Sequence, residues 1–322
     1  MADFAPTGLT LQEVAHRHDP NGEMTTIIDA LRENNGVLDD AVWQEANDTF
    51  SNKATRWALE PSGAWRMLGG GVTGERGETV EVKDVIGMLD SIAKNDVEYI
   101  HSFRNPVQAR NDEAMAFVRG MGKTMAYAMF YANTSVDPEK FTGLAPRMDA
   151  LVTGGNVINE GGSGGDTTSI YVVNWGKDTA HMLYPRNSKA GIDHKDMGIQ
   201  LVDGIASSGD LRAYVDYFSW KAGLTVKDPR SIGRLANIEV TGATNIFDED
   251  NLITLLNRMT TGPGTRIYCT QAILTQMEIR LKDKGNMHYT LADGIAPGFD
   301  MMFKKFPVRK VDQISETETA VA

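Results

Sequence analysis

The chain has a single cysteine, Cys269, among its 322 residues. One thiol can form neither an internal disulfide framework nor a zinc site made of several cysteines. This scarcity fits a protein that folds in a reducing cytosol. Cys269 follows Ile267 and Tyr268 in an apolar run, which is typical of a buried and inert thiol rather than of a nucleophile.

Long apolar runs are also missing. No stretch of about 18 apolar residues occurs, so we predict no membrane span. The N-terminus, Met1–Thr7, lacks a basic segment followed by an apolar core, so we expect no secretory signal. Basic residues are outnumbered, because 32 Lys and Arg face 43 Asp and Glu and leave a net charge of −11. That balance is typical of a soluble protein and disfavours a general nucleic-acid-binding role, which needs many cations to neutralise phosphates.

The one catalytic motif that the sequence imitates lies in the wrong context. Gly161–Gly165 fits G-x-S-x-G with Ser163 at its centre, but a hydrolase elbow needs a strand before the serine and a helix after it. Here a loop rich in glycine and asparagine precedes Ser163, and a β-branched run, Thr168–Trp175, follows it. The same stretch lacks Gly-Lys-Ser/Thr and is therefore not a phosphate-binding loop. We predict no catalytic and no cofactor-binding residue.

Candidate metal ligands are sparse. The six histidines are scattered along the chain. Two short clusters, His16–Asp19 and Asp193–Asp196, each carry a basic residue among the candidate ligands and lack a second cluster to complete a site. We interpret both as exposed polar turns. The acidic run Asp248–Asp250 is explained by capping of a following helix. The sequence therefore predicts no metal site and no enzyme.

The first part of the chain predicts an arm and a hairpin. Residues 1–40 predict short helical pieces, including Glu23–Glu33, with little packing pattern of their own. Phe50–Leu59 alternates like a strand, Ala64–Leu68 is a candidate return strand, and Thr79–Val85 alternates again. Because an isolated hairpin is marginally stable in water, two interpretations stay open. The hairpin packs on its own domain, or it lies on a neighbouring subunit.

The rest of the chain mixes helices and strands. Methionines and small residues recur at helical spacing over Asn105–Asn133 and predict a long helix with a buried methionine stripe. Further predicted strands are Ile199–Ile205, Arg212–Val226, Thr265–Cys269 and one near Phe303–Val308. Helices are predicted after Asp248, which is a good N-cap, and over Gln271–Lys284. We expect residues 316–322 to be frayed.

The order of several segments carries a resemblance to a known family. They are Phe141–Leu144 after the long helix, Gly161–Asp166 leading into Thr168–Gly176, Leu183–Pro185, Lys189–Gly191, a turn centred on Gly198, and Tyr217–Gly223 leading into Asp228–Arg230. Together they resemble the major capsid protein of tailed double-stranded DNA bacteriophages, closest to a group found in short-tailed phages. The resemblance covers the chain from about residue 40 to about residue 310 and implies an α+β protein with the Hong Kong 97-like, or Johnson, fold.

The resemblance also implies a division of the chain. Residues 1–40 would be an N-terminal arm, residues 41–86 an extended β-hairpin loop, and residues 87–322 the capsid core with peripheral and axial regions. A spine helix would occupy about 105–133. Glycines near the hairpin would let one sequence adopt slightly different hinge angles in hexamers and pentamers.

What the resemblance implies about function is a structural role. The chain would self-assemble into the icosahedral shell that encloses the packaged genome in the virion, after assembly in the cytoplasm of a bacterial host. Expected partners are other copies of the chain, a portal protein, a separate scaffolding protein and a decoration protein, with packaged DNA as a non-specific neighbour and no membrane. Two alternatives stay open: another virion protein of the tail or the decoration type, and a serine hydrolase that uses Ser163.

The hairpin supplies the candidate site residues. Tryptophan and arginine dominate the energetics of protein interfaces. We therefore expect Arg56, Trp57, Trp65 and Arg66 to act as inter-subunit anchors.

Overall fold

A computed structural model describes residues 36–203, 209–242, 244–281, 289–290 and 301–322. The arm before residue 36, the predicted helix Glu23–Glu33 and the cluster His16–Asp19 lie outside the described residues. The helices are α1 (Gly36–Asp40), α2 (Val97–His101), α3 (Pro106–Tyr131), α4 (Glu249–Arg258) and α5 (Gln271–Leu281). The strands are β1 (Trp43–Glu45), β2 (Ser51–Leu59), β3 (Glu78–Val85), β4 (Gly87–Asp96), β5 (Val157–Asn159), β6 (Thr167–Asn174), β7 (Ala180–Tyr184), β8 (Ile192–Asp203), β9 (Asp210–Val226), β10 (Ile232–Glu239), β11 (Thr265–Cys269), β12 (Tyr289–Thr290), β13 (Met301–Phe303) and β14 (Phe306–Lys310).

The described residues fall into two compact units. The first contains residues 88–126 and 191–221, and the second contains residues 36–87, 127–190 and 222–322, each without the gaps given above. Strands and helices occur in both, so the predicted α+β composition is confirmed.

In the first unit, β8 pairs with β9 in antiparallel register from Ile192–Trp220 to Asp203–Asp210. Residues 193–196 are exposed, as predicted, but they lie inside β8 rather than in a turn. Two of them contact charged side chains of the same unit. The Asp196 carboxylate accepts a hydrogen bond from Arg110 Nη2 at 2.5 Å, and His194 Nε2 lies 2.9 Å from the carboxylate of Asp216. A strand tolerates charged side chains on a face where other charges meet them.

The long helix is confirmed, with bounds of Pro106–Tyr131 against the predicted Asn105–Asn133. Its 26 residues span about 39 Å at 1.5 Å per residue. Met121, Met125 and Met129 of the predicted stripe are all buried. Periodicity therefore identified both the helix and its inward face.

The core of the second unit is a seven-stranded sheet in the order β12-β13-β14-β11-β6-β10-β5. Strand β6 is buried at every position, as expected for a strand covered on both faces. Leucines of α4 and apolar residues of α5 join the same apolar cluster as Ile170 and Ile267 of the sheet.

Two local predictions in this unit are confirmed. Asp248 caps α4 by accepting from the amide of Asp250. Cys269 is buried, as predicted.

A close backbone approach explains one glycine of the Phe141–Leu144 segment. The amide of Gly143 donates to the carbonyl oxygen of Ala132 at 2.7 Å. A Cβ at Gly143 would come within 2.8 Å of the carbonyl oxygen of Ala128. The chain can return against the end of α3 here because the residue has no side chain.

The C-terminal segment corrects another expectation. The amide of Glu318 donates to Thr167 O at 2.8 Å, and the amide of Val321 donates to Asn237 Oδ1 at 2.8 Å. Both Glu318 and Val321 are buried. The prediction that residues 316–322 are frayed is wrong, because the sheet supplies hydrogen-bond partners for this segment.

Candidate inter-subunit surface

Strands β2 and β3 form a separate two-stranded sheet. They pair in antiparallel register from Ser51–Val85 to Leu59–Glu78, which confirms the strands predicted at Phe50–Leu59 and Thr79–Val85. The predicted return strand Ala64–Leu68 is wrong, because β3 takes the place beside β2 and residues 60–77 form the connecting loop. The carboxylate of Glu75 accepts from the amides of Ser62 and Gly63 at 2.8 and 3.0 Å, which holds the two sides of this loop together.

The hairpin exposes large apolar side chains. Trp57 on β2 is 62% exposed, and Trp65 and Leu68 in the loop are fully exposed. Apolar side chains that cluster on an exposed surface mark sites of interaction with other molecules, so the hairpin is a candidate contact. Further exposed apolar side chains of the hairpin are Leu59, Met67, Val72 and Val80.

The four predicted anchors form two groups along the hairpin. Arg56 and Trp57 are consecutive on β2 and point to opposite faces of the two-stranded sheet, with Val80 and Thr79 as their partners on β3. A Cβ at Gly77 would lie 2.8 Å from the Trp57 ring, so the missing side chain leaves room for the indole.

Trp65 and Arg66 lie in the loop. The Arg66 guanidinium donates to Gly70 O at 3.2 Å, and a turn at the same place joins the amide of Gly70 to Met67 O at 3.0 Å. The Trp65 ring beside these bonds is fully exposed to solvent. Sequence reasoning missed Met67 and Leu68 as exposed apolar residues, because the prediction of a return strand at Ala64–Leu68 placed them in a paired element. Their position next to Trp65 was a usable signal.

The sites that imitate catalysis have no matching geometry. Ser163 is exposed in the loop between β5 and β6, and a strand rather than a helix follows it. Within the described ranges, no three His, Cys, Asp or Glu side chains are placed to hold a metal ion. No described helix is both long enough and apolar enough to cross a membrane.

A long helix, a protruding hairpin and a core sheet that packs two helices define the class of the protein: a phage capsid protein of the Hong Kong 97-like fold. Residues 19–322 match the family model described as major capsid protein GP7, and the chain belongs to that family. It is therefore a major capsid protein, and copies of it assemble into the shell of a tailed-phage virion. The predicted family, fold and shell-forming role are confirmed.

Several solved structures resemble the chain. The structure of bacteriophage Epsilon15 matches with 28% identity and a TM-score of 0.75, over 100% of this chain and 99% of that chain. The capsid of bacteriophage JBD30 matches with 10% identity and a TM-score of 0.48, over 95% of this chain and 99% of that one. An encapsulin complex from Synechococcus elongatus PCC 7942 matches with 10% identity and a TM-score of 0.47, over 73% and 98%. No curated protein matches the chain.

Proposed function

We propose that the hairpin at residues 41–86 is the part of the subunit that reaches onto a neighbour in the shell. In this division, residues 1–40 form an N-terminal arm, and residues 87–322 form the core with α3 as its spine. Arg56, Trp57, Trp65 and Arg66 act as the anchors of the hairpin.

The observation that carries the proposal is the exposure of Trp57 and Trp65 on a hairpin whose two strands, β2 and β3, form a sheet of their own. Burying one indole removes roughly 150–250 Å² from water and contributes a few kcal/mol. A shell repeats each contact in every subunit, so a modest contact becomes decisive for the particle. Arginine beside tryptophan adds planar hydrogen-bonding capacity at the same place.

The test compares assembly of Trp57→Ala, Trp65→Ala and the double variant with that of the unchanged chain. Ile279→Ala is the matched control, because Ile279 is also a large exposed apolar residue but lies on α5, outside the hairpin. We expect the tryptophan variants to keep the circular dichroism of the unassembled subunit and to lose particles in sedimentation. Normal particle yield and stability in the double variant would show that the two indoles are not anchors.

We propose that the shell contains hexamers and pentamers of the chain, that it forms in the bacterial cytoplasm, and that a portal, a separate scaffolding protein and a decoration protein join it. The separate scaffolding protein can be tested alone. Expression of the chain without other phage proteins should give few closed shells of uniform size, and co-expression with the scaffolding protein should restore them. Uniform closed shells from the chain by itself would contradict this part of the proposal.

We also propose that packaged DNA is a neighbour rather than a specific ligand and that the chain performs no catalytic step. The net charge of −11 supports the first point, because duplex DNA repels an acidic surface. The position of Ser163 supports the absence of a catalytic step, because Ser163 lies in an exposed loop that is followed by a strand. Tight binding of duplex DNA at physiological salt would refute the first point, and covalent labelling of Ser163 by a fluorophosphonate would refute the second.

A further inference from the structure

The root of the hairpin contains a buried polar cluster. Asn52 and Asp84 are ladder partners on β2 and β3, and both are buried. The Asp84 carboxylate accepts a hydrogen bond from Arg147 Nη2 at 2.7 Å and another from the hydroxyl of Thr225. Asn52 Nδ2 in turn donates to the Thr225 hydroxyl at 3.3 Å. The innermost polar pair of the hairpin is thus bonded to the end of β9.

Arg147 connects this cluster to two further segments. Its guanidinium also donates to the carbonyl oxygens of Leu224 at 3.0 Å and of Thr142 at 3.3 Å. A planar guanidinium with several donors fixes the direction of the carboxylate that it holds. The side chain of Arg147 is only 17% exposed, so solvent screens the pair with Asp84 weakly.

The backbone is also closely packed at the root of the hairpin. The amide of Ile86 donates to Phe50 O at 3.0 Å and closes the root of the hairpin. A Cβ at Gly223 would lie 2.8 Å from the carbonyl oxygen of Val85, so β9 passes directly against the end of β3. Both strands of the hairpin are therefore fixed where they leave the core.

Among the described residues, the outer part of the hairpin has no buried polar attachment of this kind. Its nearest bonds to the preceding segment join the backbone of Lys53 to the exposed side chain of Asn47 at 2.6 and 2.9 Å. Beyond Asn52, the residues of β2 are exposed or half-buried, and the residues of β3 before Asp84 are too. The ion pair between Lys53 and Glu81 has an N–O distance of 3.9 Å, and both side chains are more than half exposed. An exposed pair of this kind contributes little.

A small change of angle at the root moves the outer end of the hairpin over a large distance. Asn52 and Leu59 are seven residues apart on β2, which corresponds to about 23 Å at 3.3 Å per residue. A rotation of about 10° at the root therefore displaces the outer end of β2 by about 4 Å, more than a packed contact or a hydrogen bond tolerates.

We propose that Asp84 and Arg147 are positioning residues for shell assembly. Their buried pair sets the direction in which the hairpin leaves the core, and thereby where its tryptophans meet the neighbouring subunit. This inference rests on the proposed role of the hairpin as a subunit contact. It assigns the pair a part in shell geometry that Asp84 performs without touching a neighbour, because Asp84 is buried within its own subunit.

The test uses Asp84→Asn, Arg147→Gln and the double variant in the full chain. Glu81→Gln is the matched control, since it removes an exposed carboxylate from the same strand. In the unassembled subunit, we expect amide hydrogen exchange to become at least tenfold faster in residues 53–59 and 78–83 of the variants, with β6 and β11 unchanged. We expect shells of broadened or aberrant diameter by electron microscopy. The double variant should resemble the single ones, because both residues act as one unit.

Three results would overturn the inference: unchanged exchange in the hairpin, faster exchange throughout the subunit, or shells of normal diameter. Should Asp84→Asn not fold, Thr225→Val removes one hydrogen bond to the same carboxylate while keeping the shape, and it should change exchange and diameter in the same direction. The tryptophan variants separate the two proposals. If they prevent assembly while the root variants give normal shells, the positioning role fails and the contact role stands. If they too give normal shells, the contact role fails and the positioning role fails with it.

Discussion

Glu318 and Arg234 form an ion pair at 2.7 Å in which both side chains are almost completely buried. The same carboxylate accepts a hydrogen bond from the hydroxyl of Tyr171 at 3.0 Å and others from the hydroxyls of Tyr131 and Ser169. The C-terminal segment is thus fastened to the central strand β6 and its neighbour β10. Burial, together with the charge of Glu318, raises the pKa of Tyr171 and keeps its hydroxyl a donor.

The first prediction concerns this pair. Glu318→Gln leaves the Arg234 guanidinium buried without a counter-charge, and breaking a buried pair in this way costs about 3–5 kcal/mol. We expect the free energy of unfolding of the unassembled subunit to fall by about that amount in urea titrations. Glu316→Gln serves as the control, because Glu316 is exposed two residues earlier. Equal stability of the two variants would mean that the buried pair of Glu318 and Arg234 does not stabilise the subunit.

The second prediction concerns His181, which is buried on β7 opposite Thr225. Burial, reinforced by the nearby Lys227 ammonium, lowers the pKa of His181 to about 4. An unfolded histidine titrates near pH 6.5. As pH falls from 6.5 to 4, the unfolded chain takes up a proton that the folded chain refuses, so the free energy of unfolding decreases by up to about 3 kcal/mol.

The check is a comparison of His181→Gln with the unchanged chain at several pH values. We expect the stability difference between the two to shift by up to about 3 kcal/mol in favour of the variant between pH 7 and pH 4. His101→Gln, at an exposed position, is the control. A stability difference that stays constant with pH would contradict the assignment.

The third prediction has the opposite sign. Glu160 is half-buried, and burial raises the pKa of its carboxyl to about 7, although Asn251 Nδ2 donates to it at 3.0 Å. Between about pH 4.5 and pH 7, the unfolded chain loses this proton while the folded chain keeps it, so the free energy of unfolding decreases as pH rises. Glu160→Gln should therefore gain about 1–2 kcal/mol relative to the unchanged chain from pH 4 to pH 8, after allowance for solvent screening.

Urea titrations across this pH range measure the gain. Glu278→Gln, with its exposed position on α5, is the reference substitution. If Glu160→Gln followed the same pH dependence as the unchanged chain, the carboxyl would titrate at its ordinary pKa in the folded subunit.

Local patterns predicted the elements that local forces determine. The bounds of β11 are predicted as the structure has them, because Gly262–Gly264 ends the preceding helix and the apolar run Thr265–Cys269 stops where the next helix begins. The bounds of α3 were predicted to within two residues, because the methionine period is a local feature. Alternation predicts the two hairpin strands in the same way, but it does not predict which strand pairs with β2. Ala64–Leu68 is as apolar as a strand, and only the ladder between β2 and β3 shows that it is left in the loop.

The polar clusters could not be predicted, because their partners lie far away in sequence. Glu318 bonds Arg234 across 84 residues, and Arg110 bonds Asp196 across 86. The pair of Asp84 and Arg147 at the root of the hairpin spans 63 residues. A single sequence shows only that these residues are charged, and charged residues are usually exposed. The anchors remain predictions for the same reason, since the partners that we propose for them would belong to another copy of the chain.

The most direct measurement is a cryo-electron microscopy reconstruction of the shell that this chain forms. The account predicts that residues 53–83 lie across a neighbouring subunit and that the indoles of Trp57 and Trp65, exposed in the single chain, are buried there. A hairpin folded back on its own subunit, or a shell in which both indoles face solvent, would contradict it.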